Sequence, residues 1–161
     1  QTLWLGVENT QPNTQSTEWC EIGWTKAYNG NPNNFHYGAF RVNGEYDDFP
    51  LYFAIEIGNS YHYQIARTYD GLYDMYINFQ DVADCHANPF SLYVQVGLEY
   101  TAPSAYAEVN DPRQLEWRRA TDLQWFSWGS LGTPVTSYED GAAARWSWPD
   151  FPTHGRDWTT N

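Results

Sequence analysis

The chain has 161 residues, enough for one ordinary domain, and its 42% hydrophobic and 17% charged residues exclude an intrinsically disordered protein. Its formal net charge of -12 repels phosphate backbones and anionic lipid headgroups, which excludes nucleic-acid binding. Apolar runs are short and interrupted by Gly, Asp, Asn or His, so we expect no membrane insertion.

Aromatic residues make up 19% of the chain, and they occur in short runs separated by clusters of Gly, Asn, Asp or Pro. This pattern predicts an all-β fold, an antiparallel sandwich of the jelly-roll type. We predict one domain over residues 1–161, with residues 141–161 as a C-terminal tail that wraps around it. The predicted strands in chain order are Leu3–Val7, Glu18–Lys26, Phe35–Asn43, Phe49–Ile57, Tyr61–Tyr69, Leu72–Gln80, Ser91–Tyr100, Tyr106–Val109, Leu115–Ala120 and Leu123–Trp128.

One hairpin has an especially clear sequence signal, in residues Tyr61–Gln80. Strict alternation places Tyr61, Tyr63 and Ile65 on one face of its first strand. The pair Asp70-Gly71 then separates two such runs, and an Asp-Gly pair in this setting favours a tight turn. We therefore predict that the two runs pair antiparallel.

Two features point to a secreted protein. The chain begins at Gln1 with neither Met nor a charged-then-apolar leader, as expected of a mature form whose targeting segment has been removed. Cys20 and Cys85 are the only cysteines, and an even count in an acidic, aromatic-rich chain favours one disulfide over two buried free thiols.

A family resemblance rests on four segments in a fixed order: Trp4-Leu5-Gly6-Val7, Glu18–Trp24, the Tyr61–Gln80 hairpin and Tyr93–Tyr100. This succession resembles concanavalin-A-like β-sandwiches and, more narrowly, secreted domains of the eqolisin and neprosin type of glutamic peptidase. The resemblance implies that an acidic or amide residue before a Gly-Trp pair faces a Glu on a later strand. The matching positions are Glu21 and Glu99.

Two carboxylates that converge in a partly desolvated cleft do not both ionise readily. One keeps its proton and acts as a general acid while the other activates water, so Glu21 and Glu99 predict an acid hydrolase. The alternative is that each is a solvated strand residue or is paired with Arg41, Arg67 or Arg118.

The leading functional prediction is a different one, a module that binds extracellular carbohydrate. Sugar rings present flat C–H faces edged by hydroxyl groups, which aromatic platforms and neighbouring polar side chains recognise. The candidate ligand-binding residues are Trp24, Tyr37, Tyr52, Trp117, Trp125 and Trp128. Each could equally pack in the core or on a sheet surface.

A third prediction is a self-assembling extracellular filament or surface-layer subunit. The segment Gln1–Val7 could add as a strand to a neighbouring copy and form a homo-oligomer, or could dock on its own sheet. The four histidines are far apart and show no metal-ligand spacing, so we predict neither a metal site nor a cofactor.

Overall fold

The computed structural model describes residues 2–8, 18–26, 34–56, 58–86, 93–99, 112, 114–119, 121–130, 144–151 and 153–159. The chain forms two compact units, one of residues Thr2–Gly97 and one of Gln1 together with Leu98–Asn161. The prediction of a single domain stays a prediction, and each unit is described by itself.

The described secondary structure consists of β-strands. They are β1 (Thr2–Glu8), β2 (Trp19–Lys26), β3 (Asn34–Val42), β4 (Glu45–Ala54), β5 (Tyr63–Arg67), β6 (Tyr73–Ile77), β7 (Gln80–Cys85), β8 (Tyr93–Glu99), β9 (Glu116–Arg118), β10 (Trp125–Ser127), β11 (Ala144–Asp150) and β12 (His154–Thr159). No described helix is long and apolar enough to span a membrane.

The first unit contains two sheets, a five-stranded one in the order β4-β3-β2-β1-β8 and a three-stranded one in the order β5-β6-β7. The strands from β1 to β4 pair antiparallel with their sequence neighbours, as do those from β5 to β7. The predicted all-β antiparallel class is therefore confirmed. The predicted hairpin is also confirmed, as β5 and β6 around the turn at Asp70-Gly71, where Gly71 has a φ of 92°.

The core of the first unit lies between these two sheets. The five-stranded sheet contributes Cys20, Ile22, Phe40 and Leu51, and the three-stranded sheet contributes Tyr73, Met75, Ile77 and Cys85. Residues at every second position point into this core, and the predicted face of Tyr61, Tyr63 and Ile65 packs against it. Gly38 faces the same core, where an added Cβ would lie 2.7 Å from the Phe49 ring.

The predicted disulfide between Cys20 and Cys85 is confirmed, and both residues have 0% exposure. It joins β2 of the five-stranded sheet to β7 of the three-stranded sheet, so it crosses the core that the two sheets share. A buried disulfide of this kind is compatible with an extracellular location.

The second unit contains two short antiparallel sheets, β9 with β10 and β11 with β12. Backbone hydrogen bonds tie both sheets to one segment: the Leu115 amide donates to the Thr153 carbonyl at 3.1 Å, and the Trp128 amide donates to the Leu115 carbonyl at 3.0 Å. The strands β11 and β12 occupy part of the predicted tail, where the sequence analysis expected no strand.

Most predicted strands overlap described ones, and the differences have local causes. The predicted strand Tyr106–Val109 lies outside the described residues. The strand β7 was not predicted, because two Asp residues lower the β-propensity of Gln80–Cys85 and the turn before it carries no Gly. That turn consists of Asn78 and Phe79.

Candidate functional site

Glu21 lies on β2 and points away from the core of the first unit. Its neighbours Cys20 and Ile22 are fully buried on the core side, whereas Glu21 is half-buried on the opposite side. Its direct cross-strand partners are Gly6 on β1 and Ala39 on β3. Neither partner has a side chain larger than a methyl group. The cross-strand neighbours of Glu21 therefore leave space on both sides of its side chain.

Tyr37 holds the carboxylate of Glu21 in place. Its hydroxyl group donates a hydrogen bond to Oε1 of Glu21. Tyr37 lies on β3, where it pairs with Gly23, so it is the diagonal neighbour of Glu21 on the same sheet face. Only 5% of Tyr37 is exposed, which fixes the position of its hydroxyl group. We call Gly6, Glu21, Gly23, Tyr37 and Ala39 the Glu21 face.

Glu99, the predicted second carboxylate, is the last residue of β8, and nothing is described of its side chain. The strand β8 lies next to β1. Gln95 is four positions earlier on this strand. Gln95 was not among the predicted site residues; it is half-buried and belongs to the first unit with Glu21. The pairing of Glu21 with Glu99 stays a prediction.

The six aromatic residues predicted for ligand binding lie in different environments. On the five-stranded sheet, Trp24 is half-buried on the core side. Tyr37 is buried and its hydroxyl group donates to Glu21. The side chain of Tyr52 lies outside the described residues. Their role in ligand binding stays a prediction.

The other three aromatics belong to the second unit. Trp117 stacks on Phe126 with ring centroids 5.3 Å apart, and Trp128 is half-buried. Trp125 is 45% exposed, with the guanidinium of Arg118 at 6.0 Å from its ring. Trp125 is therefore the one of these three with a large accessible aromatic surface.

A buried polar cluster that the sequence analysis missed joins the two sheets of the first unit. His36 on β3 is 1% exposed, and its Nδ1 lies 2.7 Å from the hydroxyl group of Tyr63 on β5. Tyr61 packs edge-on against the imidazole ring at 4.8 Å. Burial lowers the pKa of His36, although a hydrogen bond with the Gly23 carbonyl opposes this shift. His36 is therefore neutral inside the fold at neutral pH.

A surface pocket of about 340 Å³ lies in the second unit. It is lined by the polar residues Gln114, Glu116, Ser127, Asp150, Thr153 and His154. These side chains supply hydrogen-bond donors and acceptors and two carboxylates. Among the described residues, no group of three or more His, Cys, Asp or Glu side chains is arranged to hold a metal ion.

The β-rich fold of this chain is similar to that of a glutamic peptidase of known structure. The crystal structure of aspergilloglutamic peptidase from Aspergillus niger matches 99% of this chain and 98% of its own, with a TM-score of 0.64 and 11% sequence identity. No protein-family model and no curated protein matches the sequence. The predicted distant similarity to glutamic-peptidase domains is confirmed at the level of the fold.

Proposed function

We propose that this protein hydrolyses peptide bonds at acid pH, with Glu21 as one of two catalytic carboxylates. The observation that carries this proposal is the setting of Glu21, a half-buried carboxylate between Gly6 and Ala39 that accepts a hydrogen bond from a buried tyrosine. A solvated strand residue needs neither small neighbours nor a fixed hydrogen-bond donor. The shared fold with a glutamic peptidase supports the same choice.

The hydrogen bond from Tyr37 supports the role of general base for Glu21. A hydroxyl that donates to a carboxylate favours the ionised form, so Glu21 is the general base. It takes a proton from water as the water oxygen attacks the carbonyl carbon of the substrate. The second carboxyl group, for which we propose Glu99, is protonated at the start and gives its proton to the amide nitrogen as the C–N bond breaks.

This assignment makes an acid pH range necessary. Glu21 has to be ionised while the second carboxyl group is still protonated, and a carboxyl group is protonated in a useful fraction only at a pH near or below its own pKa. The rate should therefore rise and then fall as the pH increases from strongly acid to neutral.

The test is digestion of a denatured protein substrate by the purified protein from pH 2 to pH 7, with the products identified by mass spectrometry. Loss of a general acid or base lowers the rate by about 100- to 10,000-fold, so we expect Glu21→Gln and Glu99→Gln to be almost inactive. The matched control is Glu45→Gln, which removes an exposed carboxylate at the start of β4 and should leave the rate unchanged.

Two results would contradict the proposal. One is the absence of cleavage by the unmodified protein at every pH. The other is cleavage by Glu21→Gln at the rate of the unmodified protein, which would show that the hydrolysis is carried out elsewhere. Loss of activity in Glu21→Gln alone, with Glu99→Gln unaffected, would keep Glu21 as the base and reject Glu99 as its partner.

A further inference from the structure

The two-residue turn between β6 and β7 places Phe79 at a position with positive φ, which is unusual for an aromatic residue. Asn78 and Phe79 connect the paired residues Ile77 and Gln80, and both have positive φ, 50° and 65°. The turn between β3 and β4 has the same form, with positive φ at Asn43 and Gly44. Gly is the normal residue at the second position of such a turn because a side chain there is strained. The chain places Phe at the second position instead.

Phe79 does not compensate for this strain by burial, since 75% of it is exposed. One face of its ring stacks on the imidazole of His62 at 4.2 Å, with 22° between the planes, which leaves the other face open. The His62 backbone is itself fixed, because Asn78 bonds both its amide and its carbonyl at 2.9 Å. A strained and exposed aromatic ring of fixed orientation is typical of a residue kept for contact with a ligand.

The ring lies at one end of a polar strip on the outer face of the three-stranded sheet. His62, directly before β5, and Gln64 on β5 share this face. Gln64 is the cross-strand partner of Tyr76, which in turn pairs with Asp81. The core residues of the same strands point the other way. We call Phe79, His62, Gln64, Tyr76 and Asp81 the aromatic-polar strip.

Carboxylates dominate the charge of this face. Asp74 and Asp84 are direct cross-strand partners beside the strip. Burial, followed by the charges of Asp74 and Asp84, raises the pKa of Asp81. The hydroxyl group of Tyr76 donates to Asp74 at 3.1 Å. A ligand for this face is therefore a donor of hydrogen bonds and carries no negative charge.

We propose that the aromatic-polar strip binds a neutral polysaccharide, with a pyranose ring stacked on the open face of Phe79. A sugar has the required chemistry, because its C–H face packs on an aromatic ring while its hydroxyl groups donate to carboxylate and amide oxygens. A protein hot spot is normally an anchor at the centre of a well-packed, desolvated patch, whereas Phe79 is 75% exposed and has the polar residues Asn78 and Gln80 beside it in the chain and His62 against its ring. The strip is separate from the Glu21 face and does not depend on the proposed hydrolysis.

The test is affinity electrophoresis in native gels that contain neutral soluble polymers: hydroxyethylcellulose, mixed-linkage β-glucan, arabinoxylan or galactomannan. Polygalacturonate serves as the anionic comparison. We expect retardation by at least one neutral polymer and none by polygalacturonate. The substitution Phe79→Gly should weaken binding by about tenfold or more, while the melting temperature stays equal or rises because Gly accepts the turn without strain.

The control is Tyr69→Ser, which removes a fully exposed aromatic ring from the β5–β6 turn and should leave the retardation unchanged. The proposal is overturned if no neutral polymer retards the protein, or if Phe79→Gly binds as the unmodified protein does. It is also overturned if Phe79→Gly lowers the melting temperature, because Phe79 would then serve the fold. Self-association that Phe79→Gly abolishes, without retardation by any polymer, would identify a protein contact instead.

Discussion

Glu21 and Ile22 are consecutive residues of β2, and they show how differently the two faces of the five-stranded sheet are built. Ile22 is fully buried between the two sheets, close to the disulfide and Met75. Glu21, on the other face, is half-buried, has small cross-strand neighbours and is held by Tyr37. Alternation along a single strand therefore places a core residue and a partly accessible carboxylate next to each other in sequence, on opposite faces of the sheet. Substitutions on the two faces should then have different effects.

The largest effect on stability is expected from the disulfide on the core side. Replacing both Cys20 and Cys85 by Ala opens a loop with a sequence separation of 65, and the chain-entropy model gives a loss of about 4 kcal/mol in the free energy of unfolding. Urea denaturation followed by circular dichroism measures this loss. An unchanged unfolding midpoint would show that the sheets hold together without the crosslink.

The next largest effect on stability is expected from a comparison of one substitution on each face of β2. Ile22→Ala should lower the free energy of unfolding by about 2–5 kcal/mol, because it leaves a cavity in a fully buried position. Glu21→Gln, one residue away, should change it by less than about 1 kcal/mol. Urea denaturation of both variants checks the pair. Equal losses would mean that the Glu21 face is as much a structural element as the core.

A smaller effect is expected from Tyr37, which contacts Glu21 without reacting itself. Tyr37→Phe removes one hydrogen bond to a charged group, so we expect a loss of stability of about 1–3 kcal/mol. If Glu21 is the base, this variant should lower kcat with little change in KM and move the acid side of the pH profile to higher pH. A full kinetic pH profile tests this. A change in KM alone would assign Tyr37 to substrate binding.

The smallest effect depends on pH. The folded-state pKa of His36 lies below its ordinary value of 6.5, so the unfolded state binds more protons once the pH falls below that value. His36 should therefore reduce stability as the pH falls from about 6.5 towards its folded-state pKa. The contribution of Asp81 to stability changes with pH in the opposite direction. Its pKa is raised in the folded state, so above 3.8 the folded state binds more protons than the unfolded state, and stability falls as the pH rises through this range.

Unfolding free energies at several pH values from 7.5 to 4 test both groups. The stability difference between the unmodified protein and His36→Gln should shrink as the pH falls below 6.5. The same difference for Asp81→Asn, which removes the charge repulsion permanently, should shrink as Asp81 becomes protonated in acid. Differences that do not vary with pH would show that neither group titrates differently in the folded state.

The sequence predicted those parts of the fold that local chemistry determines. Alternation in Tyr61–Arg67 and the Asp70-Gly71 turn were sufficient for the β5–β6 hairpin, and the even cysteine count was sufficient for the disulfide. The strands β11 and β12 were missed because prolines and a glycine in that region favour a loop. Local propensity does not reveal pairing partners that tertiary contacts supply.

Of the candidate site, only Glu21 itself could be predicted from the sequence, and its contacts could not. The resemblance selected Glu21, but the bond from Tyr37 depends on the register between β2 and β3, which the sequence does not specify. His36 was missed because its partner Tyr63 is 27 positions away on the other sheet, and the packing of one sheet on the other is not visible in local sequence. Phe79 could have been noticed, because Asn-Phe between two strands is a poor substitute for Asn-Gly.

The buried disulfide also has a kinetic consequence. Thiol–disulfide exchange requires a thiolate to approach one of the sulfur atoms directly, and neither Cys20 nor Cys85 is exposed in the folded state. A reductant therefore gains access only when the two sheets separate. Once the chemical step is faster than closing, the rate of reduction by dithiothreitol no longer depends on the reductant concentration and equals the opening rate of the first unit.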